Sequence, residues 1–110
     1  MGKEFIIIDE QLRQLQAATE IVGIIDRLLV EKPEMFKRTA IYDTVKRYLK
    51  KEEVAIFVTC KLGMNDGVYS INVPGKGGDT VFCAEKVNGK IISASIIENH
   101  AIRALQKLFD

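Results

Sequence analysis

The 110 residues are enough for one domain with its own hydrophobic core, and 47% apolar with 28% charged residues excludes a disordered or low-complexity chain. A formal charge of +1 gives no global attraction to nucleic acid or acidic membranes. Two cysteines and one histidine exclude a disulfide scaffold and fall short of the four ligands of a structural zinc site.

The first ten residues, MGKEFIIIDE, lack the apolar length and cleavage site of a signal sequence. Gly2 is followed by Ile6 where a myristoylation signal carries Ser or Thr. Residues 5–8 are a short β-branched run that reads as an edge strand or an extended lead-in. Asp9 is then placed as the N-cap of a long helix, with Glu10 near the positive end of its dipole.

That helix, over residues 12–30, organises the rest of the chain. Leu15, Ala18, Val22, Ile25 and Leu29 form one stripe, and Ala17, Ile21, Ile24 and Leu28 form a second beside it. The resulting arc is wider than the roughly 100° of an ordinary surface helix, so it must be covered from more than one direction. Either a sheet and another helix pack on it, or a second copy of the chain does; Ile21, Ile24 and Leu28 are the candidate dimer seam. Asp26 sits at the edge of the arc, and Gly23 is a helix-interior glycine costing about 1 kcal/mol relative to Ala. The helix ends at Glu31 or Lys32, because Pro33 disfavours the helical region for the residue before it.

Pro33 suits the first turn of a second helix, expected over residues 33–51 with Ile41, Val45, Tyr48 and Leu49 on its apolar face. Two helices so closely joined should form an αα-hairpin. From Val54 the period switches to two, giving a strand over residues 54–62 with Val54, Ile56, Val58, Cys60 and Leu62 on one side. A turn at residues 63–67 leads to a strand over 68–73, stopped by Pro74. Strands over 80–87 and 90–94 flank Asn88-Gly89, a type I′ hairpin signal. Ser95 and Glu98 have capping-box spacing and open a last helix to Phe109, with Ile97, Ala101, Leu105 and Leu108 toward the core. The expected fold is α+β: an N-terminal αα-hairpin, a four-stranded antiparallel meander and a C-terminal helix, with the helices on one face of the sheet. No residue motif ties this order to a known family.

His100, the single histidine, lacks the nucleophile and orienting partner a general base needs, and reads as a boundary imidazole. Cys60 and Cys83 alternate with apolar residues and read as small core hydrophobes. The loop at Gly75, Lys76, Gly77 and Gly78, ending at Asp79, could hold a phosphate through backbone N–H groups. It has neither the Walker A spacing nor the glycine pattern of a dinucleotide turn, and the ordinary turn chemistry of a solvated glycine-rich connection is the favoured reading. Lys46, Arg47, Lys50 and Lys51 lie opposite the apolar face of the expected second helix, with Lys37 and Arg38 just before. They form a candidate nucleic-acid surface, interrupted by Asp43 and followed by Glu52 and Glu53, as on an ordinary solvated helix face. Phe57 and Tyr69 are either stacking platforms or cover for the sheet beneath the helices.

No paired carboxylates, catalytic triad, metal set or cofactor motif is present in this pattern. The expectation is a non-enzymatic, cofactor-free protein-interaction module: a small cytoplasmic regulator, adaptor or inhibitor, homodimeric and without a membrane span. The alternatives are nucleic-acid binding through Lys37, Arg38, Lys46, Arg47, Lys50 and Lys51, or binding of a small phosphate ligand at the Gly75–Gly78 loop.

Overall fold

The computed structural model describes residues 3–64, 66–73 and 79–109. The chain runs through α1 (Lys3–Glu31), a 3-10 turn (Pro33–Met35), β1 (Lys37–Ile41), β2 (Thr44–Lys51), β3 (Val54–Lys61), β4 (Gly67–Val73), β5 (Asp79–Val87), β6 (Lys90–Ile96) and α2 (Glu98–Phe109). The six strands form one antiparallel sheet in the order β1-β2-β3-β4-β5-β6, each paired with its neighbour in sequence. The α+β class is as expected, but the sheet has six strands rather than four and there is no αα-hairpin.

Residues 33–51 are not a helix. Beyond one 3-10 turn at Pro33–Met35 they form the β1–β2 hairpin, with Ile41 paired to Thr44 and Lys37 to Tyr48. A spacing of four, as between Val45 and Leu49, satisfies both a helix face and a strand face, and Tyr48 completes a false helical stripe. The alternation is hidden because Arg47 and Lys51 share the inner face of β2 with Val45 and Leu49. The loops are hidden too. Tyr42-Asp43 joins β1 to β2 and Glu52-Glu53 joins β2 to β3, with Tyr42 at φ 57° and Glu52 at φ 54°. Positive φ is uncommon outside glycine and asparagine, so neither dipeptide announces a hairpin.

α1 begins at Lys3, so residues 5–8 are helical and Asp9 lies within the helix rather than capping it. No proline or glycine intervenes, and extending an established helix adds one backbone hydrogen bond per residue. At the other end of the chain, Ser95 and Glu98 do not form a capping box. The strand continues through Ile96, Ile97 N donates to Val81 O at 2.9 Å, and Ala101 N donates to Ile97 O at 2.9 Å. Ile97 is therefore the residue at which strand becomes helix. It is 52% exposed instead of packing in the core.

The remaining elements follow the pattern of the sequence. Asn88 and Gly89 have φ of 52° and 77°, as a type I′ turn requires. Asp66 accepts from Asn88 N at 2.7 Å and from Gly89 N at 3.3 Å, tying the β3–β4 loop to this turn. Gly67 opens β4 against β3, where a side-chain Cβ would stand 2.8 Å from Cys60 Cβ and closer still to the Thr59 carbonyl oxygen. Gly23 meets nothing within 4 Å, so no close approach explains it.

One face of the sheet and both helices share a single core. α1 buries Ala18, Ile21, Val22, Ile25 and Leu28, and α2 buries Ala101, Ala104, Leu105 and Leu108. They meet Ile56, Val58, Tyr69, Ile71, Phe82 and Ala84 of the sheet. Each such aliphatic or aromatic side chain contributes about 1.5–3 kcal/mol by leaving water. α1 packs chiefly on β6, and α2 on β5 with β3 and β4. The wide arc of α1 is thus largely covered by its own chain: Ile21 and Leu28 are 5% and 7% exposed, while Ile24 remains at 38%.

Candidate functional site

Among the described residues, no helix packs on the face of the sheet away from α1 and α2, and strand alternation decides what stands on it. Lys37, Lys46 and Lys50 project to this outer face together with Lys61, whereas Arg38, Arg47 and Lys51 share the helix side with Val45, Leu49 and Val54. The basic residues expected along one helix therefore divide between two surfaces. No Asp or Glu shares the outer face of β1, β2 or β3; Glu85 on β5 is the first met across the sheet.

A continuous row crosses all six strands on this face: Lys37, Tyr48, Phe57, Ser70, Cys83 and Ser95, each paired directly with the next. At about 4.8 Å per strand the row spans roughly 24 Å. Tyr48 and Phe57 stack with ring centroids 6.3 Å apart and planes 28° from parallel. Lys46 Nζ lies 4.5 Å from the Phe57 centroid, a cation–π contact. Asn72 occupies the neighbouring row with Lys50 and Ala55. Its Oδ1 is shielded from water and has no hydrogen-bond partner among the described residues. Of the two aromatic residues singled out from the sequence, Phe57 belongs to this open face. Tyr69 lies beneath the helices, 1% exposed.

The helix side carries a second polar cluster, seeded by Asp26 at the edge of the α1 arc. Asp26 Oδ1 accepts from the Tyr69 hydroxyl at 2.5 Å, and Oδ2 accepts from Lys86 Nζ at 2.8 Å. Lys86 Nζ also lies 5.5 Å from the Tyr69 ring centroid. Burial, followed by the hydrogen bond to Asp26, pushes the Tyr69 phenol well above its ordinary range. The cluster borders a hollow of about 280 Å³ lined also by Arg47, Val58, Cys60 and Met64. Arg38 and Arg47, direct cross-strand partners, line an adjoining hollow of about 230 Å³ beside Leu29, Pro33 and Phe36. The lone carboxylate on the apolar arc was the sequence signal for this cluster; Lys86 joins it, and Arg38 reaches the adjoining hollow, only through the register of the sheet.

The other candidates do not converge. His100 is exposed on α2. Cys60 and Cys83 are half-buried on opposite faces rather than together in the core. The Gly75, Lys76, Gly77 and Gly78 loop lies outside the described residues. No group of three or more His, Cys, Asp or Glu side chains among the described residues is arranged to hold a metal ion, and none of the described helices is long and apolar enough to cross a membrane. No protein-family model, curated protein or solved structure matches this chain.

Proposed function

We propose that this chain is a non-catalytic binding module that holds single-stranded nucleic acid across the face of its sheet away from the helices. The observation that carries the reading is the Tyr48–Phe57 stack with Lys46 above Phe57, on strands where lysine is unopposed by carboxylate. Every base has a π-face, so aromatic platforms bind without regard to sequence, at about 1–3 kcal/mol per stacked base. Lys37 lies one strand spacing from Tyr48, while Lys50 and Lys61 stand further along β2 and β3 on the same face, and together they supply the charge that phosphates require. The roughly 24 Å row gives room for on the order of four nucleotides. Stacking and charge are the chemistry of holding a ligand rather than of making or breaking a bond. Two free thiols fit a cytoplasmic address.

Fluorescence anisotropy with labelled oligothymidylate and oligouridylate tests the reading. Expected are micromolar affinity, a log–log salt slope of about −2 to −3 for three or four phosphate contacts, and weaker binding to duplex. Phe57→Ala should cost about 1–3 kcal/mol of binding energy at unchanged salt slope, while Lys46→Glu should reduce the slope. Binding that ignores salt, or is indifferent to both substitutions, rejects it.

A second reading, a homodimeric protein-interaction module, is favoured by Ile24 and Ile102. These residues, 38% and 42% exposed, line one groove of about 260 Å³ between α1 and α2 with Ala17, Ile21 and Leu105. Light scattering behind size exclusion tests it. A wild-type dimer that Ile24→Glu turns into a folded monomer supports this seam, and a wild-type monomer at micromolar concentration removes it.

A further inference from the structure

Arg38 and Arg47 face each other directly on neighbouring strands, on the side of the sheet where the end of α1 leaves β1 and β2 open. Like charges at directly opposed positions destabilise a sheet. Neither guanidinium has a carboxylate within salt-bridge distance among the described residues, where the ion pair found is Lys86–Asp26. The nearby Asp26 accepts from Tyr69 and Lys86 and lies beyond salt-bridge distance of both arginines. The Asp26–Lys86 pair cancels itself, leaving the two arginines as an unbalanced positive end.

The space in front of these arginines adjoins the hollow beside Asp26, and Leu29 and Arg47 line both. Leu29, Phe36, Val58 and Met64 form an apolar stretch beyond the guanidiniums, and the self-neutralised Asp26–Lys86 pair closes the far end beside Tyr69. A cationic fork at one end and an apolar trough beyond it complement an amphipathic anion. Arginine presents donors in a rigid planar fork that matches a carboxylate bidentately.

We propose that this cleft is a binding site for a small organic acid, with its carboxylate between Arg38 and Arg47 and its hydrocarbon body along Leu29 and Val58 toward Tyr69. The site lies on the opposite side of the sheet from the Tyr48–Phe57 face and is independent of what that face binds. Occupation by the acid relieves the repulsion between the arginines, so the ligand stabilises the β1–β2 hairpin.

Amide chemical-shift mapping by NMR on the full chain tests the site, using octanoate, phenylacetate, octylamine and inorganic phosphate in turn. Either acid should shift residues of β1, β2 and the end of α1, while octylamine leaves them unmoved. Arg47→Gln should raise the dissociation constant of the better acid about tenfold or more. Lys46→Gln, on the other face, should leave it unchanged. Without ligand, Arg47→Gln should melt no lower than the wild type, since the arginines repel each other in the empty cleft. A marked loss of stability in that variant would instead assign the arginine a structural role and overturn the proposal. So would phosphate binding as tightly as octanoate, which removes the need for the apolar trough, or an acid response that survives in the Arg38→Gln, Arg47→Gln double variant.

Discussion

Lys86 on β5 donates to Asp26 on α1 at 2.8 Å, and this ion pair joins the first helix to the fifth strand. The lysine side chain is 15% exposed and the aspartate 36%, so removing the carboxylate strands a cation with little water around it. Asp26→Ala should lower unfolding free energy by about 2–3 kcal/mol, because the Tyr69 hydroxyl loses its acceptor as well. Asp26→Leu combined with Lys86→Met should recover most of that loss, since apolar replacements leave nothing unpaired. Urea titrations of the single and double variants measure both.

Tyr69 makes stability depend on alkaline pH. Its phenol is held protonated in the fold by burial and by the hydrogen bond to Asp26, whereas the unfolded phenol ionises near pH 10. A folded-state value above the unfolded one means that the unfolded chain releases the proton first. This contribution is complete below about pH 10 and is lost as pH rises beyond it. The urea midpoint should therefore fall between mildly alkaline and strongly alkaline buffer. Tyr69→Phe should flatten that part of the profile and cost about 1 kcal/mol at neutral pH.

Two glycines should respond in opposite directions to the same substitution. Gly23→Ala on α1 meets open space and exchanges a poor helix former for the best one, raising stability by about 0.5–1 kcal/mol. Gly67→Ala drives a methyl group into the backbone of β3 at Thr59 and the side chain of Cys60, lowering stability by about 1–3 kcal/mol. Thermal melts of the pair decide both signs.

Cys60 and Cys83 should not form an intramolecular disulfide. They lie on β3 and β5 with β4 between them and point to opposite faces. Two strand spacings across the sheet, with Cys60 three residues along β3 from the Phe57 row that Cys83 shares, put their Cα atoms about 14 Å apart, beyond the reach of roughly 7 Å that a bridge allows. Treatment with a thiol oxidant should leave the intact mass of the monomer without the loss of two hydrogens. A monomer lighter by that amount would show that the two strands come together in another way.

The strands from Val54 onward were legible because one face is buried and the other is not, so Val54, Ile56 and Val58 alternate cleanly with Ala55, Phe57 and Thr59. The hairpin over β1 and β2 was not. Its inner face carries Arg38 and Arg47 where a core strand would carry aliphatic side chains, and its turn holds Tyr42 at positive φ. Both departures hide a strand from pattern reading, and both arginines line the open cleft. The basic residues were picked out by their charge but assigned to the wrong geometry. On a helix, Lys46, Arg47 and Lys50 would share one surface; on a strand, Arg47 turns away from the other two. The Tyr48–Phe57 stack depends on the β2–β3 register, which no spacing within either strand encodes.

The sequential order of the sheet also sets the timetable by which the molecule can be completed. Each strand can pair as soon as its neighbour exists, but α1 packs chiefly on β6, the last strand made. Between synthesis of Glu31 and Ile96 a ribosome working at 5–20 residues per second takes roughly 3–13 s. For that interval α1 lacks the strand it packs on most extensively. The helix that is made first therefore waits longest for its main cover. A chain truncated before β6 would emerge with its longest helix short of its main cover, a substrate for chaperones and proteases, even with most of its sheet already made.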